Sequence, residues 1–264
     1  MFFRLTSVEL ALLLLAVVVG TTVAGLLWGR YLRRKSDGLR EPFGVLQAAT
    51  LGIVALLLAF SLSLAMGRYE NRRAAVVDEA NTIGTAYLRA QTLSEPERTE
   101  SLALLRRYTD LAIRVSHEIP GSAALATTAA AEQEVQRSLW GLAGTALAGA
   151  PTASAPRLYV DSLNAMIDQQ GVRIAALNNR IPNTVLFHDV IASALALGLL
   201  ALYLSFLGRG PVTVLLAALL VSMLLFVTID LDRPTRGLIT VPDTALTSLR
   251  ASMELPPAAQ GPRD

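Results

Sequence analysis

Four long apolar blocks interrupt a chain that is otherwise amphipathic. They run from about residue 8 to 28, 43 to 66, 185 to 207 and 211 to 229. A helix needs about 20 mainly apolar residues to cross the hydrocarbon core of a bilayer, so each block predicts one transmembrane span. The first block is too long for a signal peptide, and the basic stretch 30–35 follows it directly, which predicts a retained anchor.

The segment between the second and third spans, residues 67–184, has helical periodicity and almost no strand signal. Nothing breaks the helical pattern between Phe43 and Leu93, so we expect span two to continue out of the membrane as one long helix. Apolar residues with a three-four spacing form one stripe on its outer half. This stripe comprises Tyr69, Val76, Ala80, Ile83 and Tyr87, and the other face carries Arg72, Arg73, Asp78 and Arg89.

Three further amphipathic helices are predicted before the third span. The first starts at Ser94-Glu95-Pro96-Glu97, where Ser94 is expected to cap the helix and Glu97 to complete a capping box, and Pro120-Gly121 ends it. The second covers about 123–148 and the third begins near Ala155. The inward positions of the first helix are Leu102, Leu105, Tyr108, Leu111 and Val115, and those of the second are Leu125, Val135, Leu139 and Leu142. The inward positions of the third are Val160, Leu163, Ile167, Ile174, Leu177 and Ile181, with the polar Gln170 in the same seam.

The predicted fold is an all-α membrane protein with four transmembrane helices, two plus two, and a central extramembrane antiparallel helical bundle. The N-terminal transmembrane pair occupies 1–66, the bundle 67–184 and the C-terminal pair 185–229. A tail follows over 230–264, and its Pro-rich composition predicts disorder from about 254. Because the connections within each pair are short, we expect the two spans of a pair to be antiparallel neighbours.

Basic residues near the spans predict the orientation in the membrane. The loop between spans one and two carries Arg30, Arg33, Arg34, Lys35 and Arg40. Short loops rich in Lys and Arg stay in the cytoplasm, which places the central domain in the periplasm or outside the cell. Arg209, in the other short loop, agrees. Basic residues at 68–73 and 233–236, just past spans two and four, favour the opposite orientation.

Composition narrows the function classes. Of 264 residues, 53% are hydrophobic and 17% are charged, with a mean hydropathy of +0.47, which suits a membrane protein. A net charge of +2 gives no reason to expect nucleic acid as a partner. The chain has no Cys and only His117 and His188, so no metal cluster and no cofactor are predicted. Lys35 is the only Lys, and this Arg bias favours a bacterial protein, multi-pass in the inner membrane.

No catalytic motif is recognisable, and we do not expect an enzyme. The chain has no glycine-rich phosphate loop, HExxH or GxSxG sequence. Glu132 and Glu134 are two residues apart and so on different helix faces, and both are predicted to be solvated. No charged residue lies in the middle of a span, which argues against an ion-coupled pump; Asp189 is at the entrance of span three.

Small residues recur at four-residue spacing within the spans. The pairs are Gly25 and Gly29, Ala48 and Gly52, and Ala194 and Gly198. Small residues let helix backbones approach closely, so these pairs predict helix packing rather than a pore lining.

Two charged strings lie where spans two and four leave the membrane, and they form the candidate site. The candidate vestibule or interface residues are Arg68, Arg72, Arg73, Glu79, Asn81, Asp232, Arg233 and Arg236. One interpretation is interfacial snorkelling with intrahelical pairs such as Glu70–Arg73. The other is an electropositive pore mouth, which would concentrate anions when several subunits assemble. Because spans two and four run in the same direction, the two strings are also expected to pair.

Four sequence stretches carry a resemblance to a known family. They are Leu56 to Arg73 (LLLAFSLSLAMGRYENRR), Asp78 to Ala90 (DEANTIGTAYLRA), the Arg106-Arg107 pair before Tyr108, and Asp232 to Val241 (DRPTRGLITV). With the two-plus-two layout, they resemble a bacterial family of integral membrane proteins with a bestrophin-like domain, a domain of unknown function. The resemblance implies similarity to anion channels, which assemble as oligomers around a central pore lined by their second span.

Two functional hypotheses follow. The first is a homo-oligomeric anion channel in the lipid bilayer, with span two and the Arg68, Arg72 and Arg73 mouth near the pathway. The second is a membrane-anchored helical-bundle sensor or scaffold that acts through a separate partner protein, because a bundle between two spans also suits a ligand-binding domain.

Overall fold

The structure, a computed structural model, describes residues 5–33, 40–208 and 211–259, and within these ranges every regular element is a helix. The helices are α1 (Ser7–Arg33), α2 (Arg40–Ala90), α3 (Glu97–His117), α4 (Ala123–Gly149), α5 (Ser154–Asn178), α6 (Asn183–Phe206), α7 (Pro211–Leu231) and α8 (Thr244–Ser252). Arg34, Lys35 and Arg209, which entered the orientation argument, lie outside the described residues.

Four segments are long and apolar enough to cross a membrane, as predicted. They are Ser7–Leu32, Pro42–Ala90, Ser154–Phe206 and Val212–Leu231, and the third comprises α5 together with the apolar α6. The chain folds into two compact units. Unit 1 is Met1–Tyr69 with Arg180–Thr240, and unit 2 is Glu70–Asn179 with Val241–Asp264.

Unit 1 contains the apolar helices, and α1 packs on α6 and α7. Its core includes Leu14, Leu58 and Ile229, whereas large apolar side chains such as Ile53 and Leu220 are exposed. A helix that is apolar on its outer face as well as its inner face is typical of a membrane span. The exposed apolar surface of unit 1 therefore suits contact with lipid.

Two glycines of α1 set its closest approach to α6. A Cβ on Gly29 would lie 2.7 Å from both the Leu202 carbonyl oxygen and the Ser205 Cβ, and one on Gly25 would overlap the Gly198 carbonyl. These two positions confirm the predicted role of small residues in helix packing. The sequence predicted α2 as the neighbour of α1, but the closest helix approach that α1 makes is to α6.

The long helix predicted from the sequence is confirmed, because α2 is unbroken over 51 residues. At a rise of 1.5 Å per residue its length is about 77 Å, more than twice the roughly 30 Å hydrocarbon core of a bilayer. One helix therefore supplies both a span and a substantial part of unit 2.

Unit 2 has a core to which five helices contribute. Buried side chains come from α2 (Ile83), α3 (Leu105), α4 (Leu139), α5 (Leu163) and α8 (Leu246). The inward positions predicted for α2 and α3 are buried, except the half-buried Tyr69 of unit 1. The contribution of α8 was not predicted, because its nine residues were assigned to the tail.

Three local predictions about unit 2 are wrong. The start of α3 is not capped by Ser94; the Glu95 carboxylate instead accepts the Thr99 N–H at 3.2 Å and the Thr99 hydroxyl at 3.0 Å. In α4, Leu142 is half-buried and Ala143 is buried. The buried seam of α5 keeps Leu163, Gln170 and Leu177 of the predicted one, but it includes Tyr159, Met166 and Arg173, whereas the predicted Val160, Ile167 and Ile174 are half-buried.

Candidate functional site

Arg72 lies inside unit 2 rather than on its polar surface. Its side chain is 1% exposed, and the guanidinium donates to the carbonyls of Ala176 at 3.2 Å and Asn179 at 2.6 Å. These carbonyls are at the C-terminus of α5, where helix carbonyls lack intrahelical donors and the helix dipole favours a cation. Arg72 therefore holds the end of α5, and its predicted place on the polar face is corrected.

The other candidates on α2 divide between surface and interior. Arg73 is exposed and its guanidinium lies 3.6 Å from the Glu70 carboxylate, as predicted for an intrahelical pair. Asn81 is exposed, Arg68 is half-buried and Glu79 is fully buried. The predicted group of charges is thus separated, because helical spacing turns neighbours in sequence to opposite faces.

The second charged string forms a compact turn within unit 1. The Asp232 carboxylate accepts the Ile181 N–H at 2.8 Å, and the Asp230 carboxylate accepts the Ile239 N–H at 2.9 Å. Arg233 donates to the Leu5 carbonyl. All three charged side chains are buried, so this turn has the contacts of a structural element rather than of a solvent-facing mouth.

Two further residues of this turn fit the same interpretation. The Arg236 carbonyl accepts the Ser7 hydroxyl at 3.2 Å, while the Arg236 side chain is exposed. A Cβ on Gly237 would lie 2.8 Å from the Asp230 carbonyl and carboxylate oxygens. The glycine is therefore required by the close approach of the chain to Asp230. The predicted pairing of the two charged strings stays a prediction.

Glu79 meets a partner that the sequence analysis did not single out. Its carboxylate forms an ion pair with Arg173 of α5, and the two side chains are 0% and 2% exposed. Arg173 also donates to the Ala112 carbonyl at 2.8 Å and the Ser116 hydroxyl at 2.6 Å of α3. This guanidinium ties α2, α3 and α5 together inside unit 2.

Glu132 continues the polar interior on α4, contrary to the prediction that it is solvated. Its side chain is 1% exposed and accepts the Gln170 amide at 2.8 Å, whereas Glu134 is exposed as predicted. Gln136, one turn further along α4, donates to the Tyr108 hydroxyl at 3.2 Å. Burial raises the pKa of Tyr108, so this hydroxyl keeps its proton and can donate in turn.

The sequence offered one weak signal for this interior. Arg173 follows Gln170 by three residues, the same spacing by which Met166 follows Leu163, so the seam of α5 continues through both polar residues. Charged residues were assigned outward because they are almost never fully buried unless paired. The partners that make burial possible, Glu79 and Glu132, are 94 and 38 positions away from their α5 contacts in the chain.

A polar pocket of about 230 Å³ lies between α2 and α5 on the outside of unit 2. Its lining comprises Asn81, Thr82, Thr85, Arg89, Asp161, Ser162 and Ala165. Arg89 is held in place by donating to the Leu158 carbonyl at 2.6 Å. The lining combines hydroxyl groups, an amide and both signs of charge.

Unit 1 also buries an acid near the start of α6. Asp189 is 3% exposed, lies beside Ser61 of α2, and follows the helix start by six residues. One carboxylate oxygen has no hydrogen-bond partner among the described residues, and neither does the hydroxyl of Ser193, one turn along. Asp189 therefore lies in the second turn of α6, close to the predicted entrance of span three, and it is buried there.

The exposed side of α2 in unit 1 has a stripe of small side chains. Gly52, Ala55, Ala59 and Ser63 are all exposed and follow one another at three or four residues. A Cβ on Gly52 would meet nothing within 4 Å. Unlike Gly25 and Gly29, Gly52 therefore makes no close contact with another helix among the described residues.

The chain matches a family model and is similar in fold to several solved structures. The sequence model of the Bestrophin-like domain matches residues 11–246. The fold is similar to the crystal structure of a bacterial Bestrophin homolog from Klebsiella pneumoniae, with a TM-score of 0.69, 13% identity, and coverage of 92% of this chain and 95% of that one. A point variant of that homolog has a TM-score of 0.68 at 12% identity, with coverage of 94% of this chain and 97% of that one. No functionally curated protein matches the chain in sequence.

Proposed function

Because the chain belongs to the Bestrophin-like family, we propose that it is an ion channel built from several copies of the chain in the bacterial inner membrane, with α2 lining the pathway. The observation that carries the proposal is the exposed stripe of small residues on α2. Small side chains on an exposed helix face allow either close subunit packing or an open pathway, and a lipid-facing surface needs neither.

The two-plus-two arrangement is supported by the connectivity of unit 2. This unit contains Glu70–Asn179 and Val241–Asp264, and the chain between them contains the apolar α6 and α7. A chain that leaves one side of a membrane and returns to it must cross an even number of times. Two spans between the two parts of unit 2 meet that condition.

Cysteine scanning of α2 tests the pathway, because the chain has no native Cys. Purified variants are reconstituted in liposomes and ion flux is measured before and after a charged methanethiosulfonate reagent. We expect the reagent to reduce the ion flux of the Gly52→Cys, Ala59→Cys and Ser63→Cys variants. The matched control is Ile53→Cys, which is 63% exposed on the large-residue side of α2 and should not respond.

Two results would contradict this proposal. One is flux no greater than that of empty liposomes. The other is a monomer by light scattering in mild detergent, because a single protomer does not surround a pathway.

Anion selectivity is part of the proposal, and the structure changes how it is tested. Arg72→Glu is not a clean test of the basic mouth, because Arg72 is buried at the end of α5 and the change would disturb unit 2 itself. Arg73→Glu alters an exposed charge instead. Glu70 and Asp78 are also exposed on α2, and acidic side chains at a mouth favour cations. Reversal potentials in a chloride gradient distinguish anion selectivity from cation selectivity. A shift of the reversal potential toward cation selectivity in Arg73→Glu would support an anion-selective mouth in the wild type.

We propose the periplasmic side for unit 2, on the basic residues between spans one and two. Reporter fusions near Ala124 and Lys35 test the orientation. Alkaline phosphatase activity at the first position with green fluorescence at the second supports it, and the reverse pattern contradicts it.

The sensor or scaffold function is favoured by one observation, the polar pocket between α2 and α5. A ligand there would stabilise unit 2 through its affinity for the folded state. Thermal melting of the intact protein against small polar metabolites tests this. A rise in the melting midpoint that Asn81→Ala and Asp161→Ala both remove, in a protein without conductance, would favour the sensor.

A further inference from the structure

A polar cluster in the interior of unit 2 brings together two carboxylates and one cation. Glu79 of α2, Glu132 of α4 and Arg173 of α5 are all at most 2% exposed. A buried ionised carboxylate needs a cation or several donors to replace the water that it loses. With one guanidinium for two carboxylates, one negative charge in this cluster has no ionic partner among the described residues.

The contacts decide which carboxylate has the cation. Arg173 contacts Glu79 through one terminal nitrogen and donates to Ala112 and Ser116 of α3 through the other. One oxygen of Glu132 accepts a hydrogen bond from the neutral amide of Gln170. Its other oxygen has no hydrogen-bond partner in the part of the chain that the structure describes. Glu79 also has one oxygen without a hydrogen-bond partner among the described residues, and burial raises its pKa as well, but it has the ion pair with Arg173 that Glu132 lacks. Glu132 is therefore the group at which a proton balances the cluster.

The charged groups around Glu132 on balance also favour its protonated form. Glu79 of α2 and Glu118 at the end of α3 repel a negative charge there, while Arg173 of α5 attracts it. The charged groups of α8 are engaged elsewhere, since Arg250 pairs with Asp110 and Glu254, and Asp243 lies 3.0 Å from His117. Glu134 on the same helix is exposed.

Burial is the main influence on the titration of Glu132. Desolvation raises its pKa from 4.5 to about 7, opposed by the Gln170 hydrogen bond and reinforced by Glu79. The folded protein thus holds this proton across a pH range in which an exposed glutamate has lost it.

We propose that Glu132 is a proton-binding site in the core of unit 2, and that release of its proton loosens the packing of α4 against α3 and α5. The ionised Glu132 carboxylate lies beside Glu79 and has no cation of its own. Its negative charge is therefore stabilised when water reaches it. The inference does not depend on whether the chain conducts ions.

The direction of the pH effect follows from linkage. The folded state binds one more proton than the unfolded state between pH 4.5 and 7, so the stability of unit 2 falls as pH rises through this range. An opening that brings Glu132 to water should become about tenfold more populated between pH 6 and pH 8.

Hydrogen exchange of the full-length protein in detergent measures this opening. Amide exchange in α4 is followed at pH 6 and pH 8 and corrected for the intrinsic pH dependence of exchange. We expect a rise of about tenfold in the wild type and in Glu134→Gln, the matched exposed control, and no rise in Glu132→Gln. Equal pH dependence in Glu132→Gln and the wild type would overturn the proposal.

A second measurement does not require a folded variant. Infrared difference spectra of wild-type protein labelled with ¹³C-glutamate should show a protonated buried carboxyl at pH 6 that disappears by pH 8. If no such signal is present at pH 6, Glu132 does not hold a proton and the site is refuted.

Discussion

At the scale of single residues, burial separates charges that the sequence places side by side. Arg72 and Arg73 are consecutive, yet one holds the C-terminus of α5 and the other is exposed beside Glu70. Similarly, Glu132 is buried and Glu134 is exposed. Sequence reasoning could assign helix faces by apolar spacing, but it could not find the distant partner that makes a buried charge tolerable.

The Glu79–Arg173 pair gives a sharp test at this scale. Arg173→Met leaves a buried carboxylate without its cation, which should destabilise unit 2 by about 3–5 kcal/mol. The measurement is thermal or denaturant unfolding of the purified protein. The matched change Arg73→Met removes an exposed pair and should cost less than about 1 kcal/mol.

A double variant separates the lost attraction from the stranded charge. Glu79→Gln combined with Arg173→Met should recover part of the stability that Arg173→Met loses, because the uncompensated carboxylate is gone. If the double variant is as unstable as the sum of the single ones, the two side chains are not coupled.

At the scale of elements, the apolar pattern predicted the helices well. The bounds of α4 differ by one residue at its C-terminus, and the continuous α2 agrees with the absence of breakers between Phe43 and Leu93. The predicted cap of α3 was wrong because several residues before the helix are able to cap it, and Glu95 rather than Ser94 accepts the Thr99 N–H. The helix α8 was missed because its apolar residues are few and its partners are on α2 and α3.

The C-terminal helix should be a major source of stability in unit 2. Leu246 and Met253 are fully buried in its core, and the Met253 carbonyl accepts the Tyr87 hydroxyl at 3.1 Å. Leu246→Ala or Met253→Ala should cost about 2–5 kcal/mol, measured by thermal melting. Leu255→Ala, at a position 65% exposed, serves as the control. Equal melting for all three variants would show that α8 is not docked.

At the scale of the whole molecule, each compact unit has one tryptophan. Trp28 is in α1 of unit 1 and Trp140 is in α4 of unit 2. Backbone unfolded within lipid or detergent has no hydrogen-bond partners, whereas backbone unfolded in water does. We therefore expect urea to unfold unit 2 at lower concentration than unit 1.

Single-tryptophan variants measure the two transitions separately. Trp28→Phe leaves only the Trp140 signal, and Trp140→Phe leaves only the Trp28 signal. Coincident urea transitions in the two variants would mean that the units unfold together.

The division of unit 2 along the chain has a consequence for biosynthesis. Its core needs Leu246 and Met253, which the ribosome makes only after α6 and α7. Residues 70–179 must therefore wait, with part of their apolar surface uncovered, until the last two spans have been made. A fragment of residues 74–182 lacks Leu246 and Met253, so that surface would stay uncovered permanently. Closure of the bundle by α8 thus reports that the final hairpin has been synthesised, and a chain whose last spans fail to insert would expose an open core to cellular proteases.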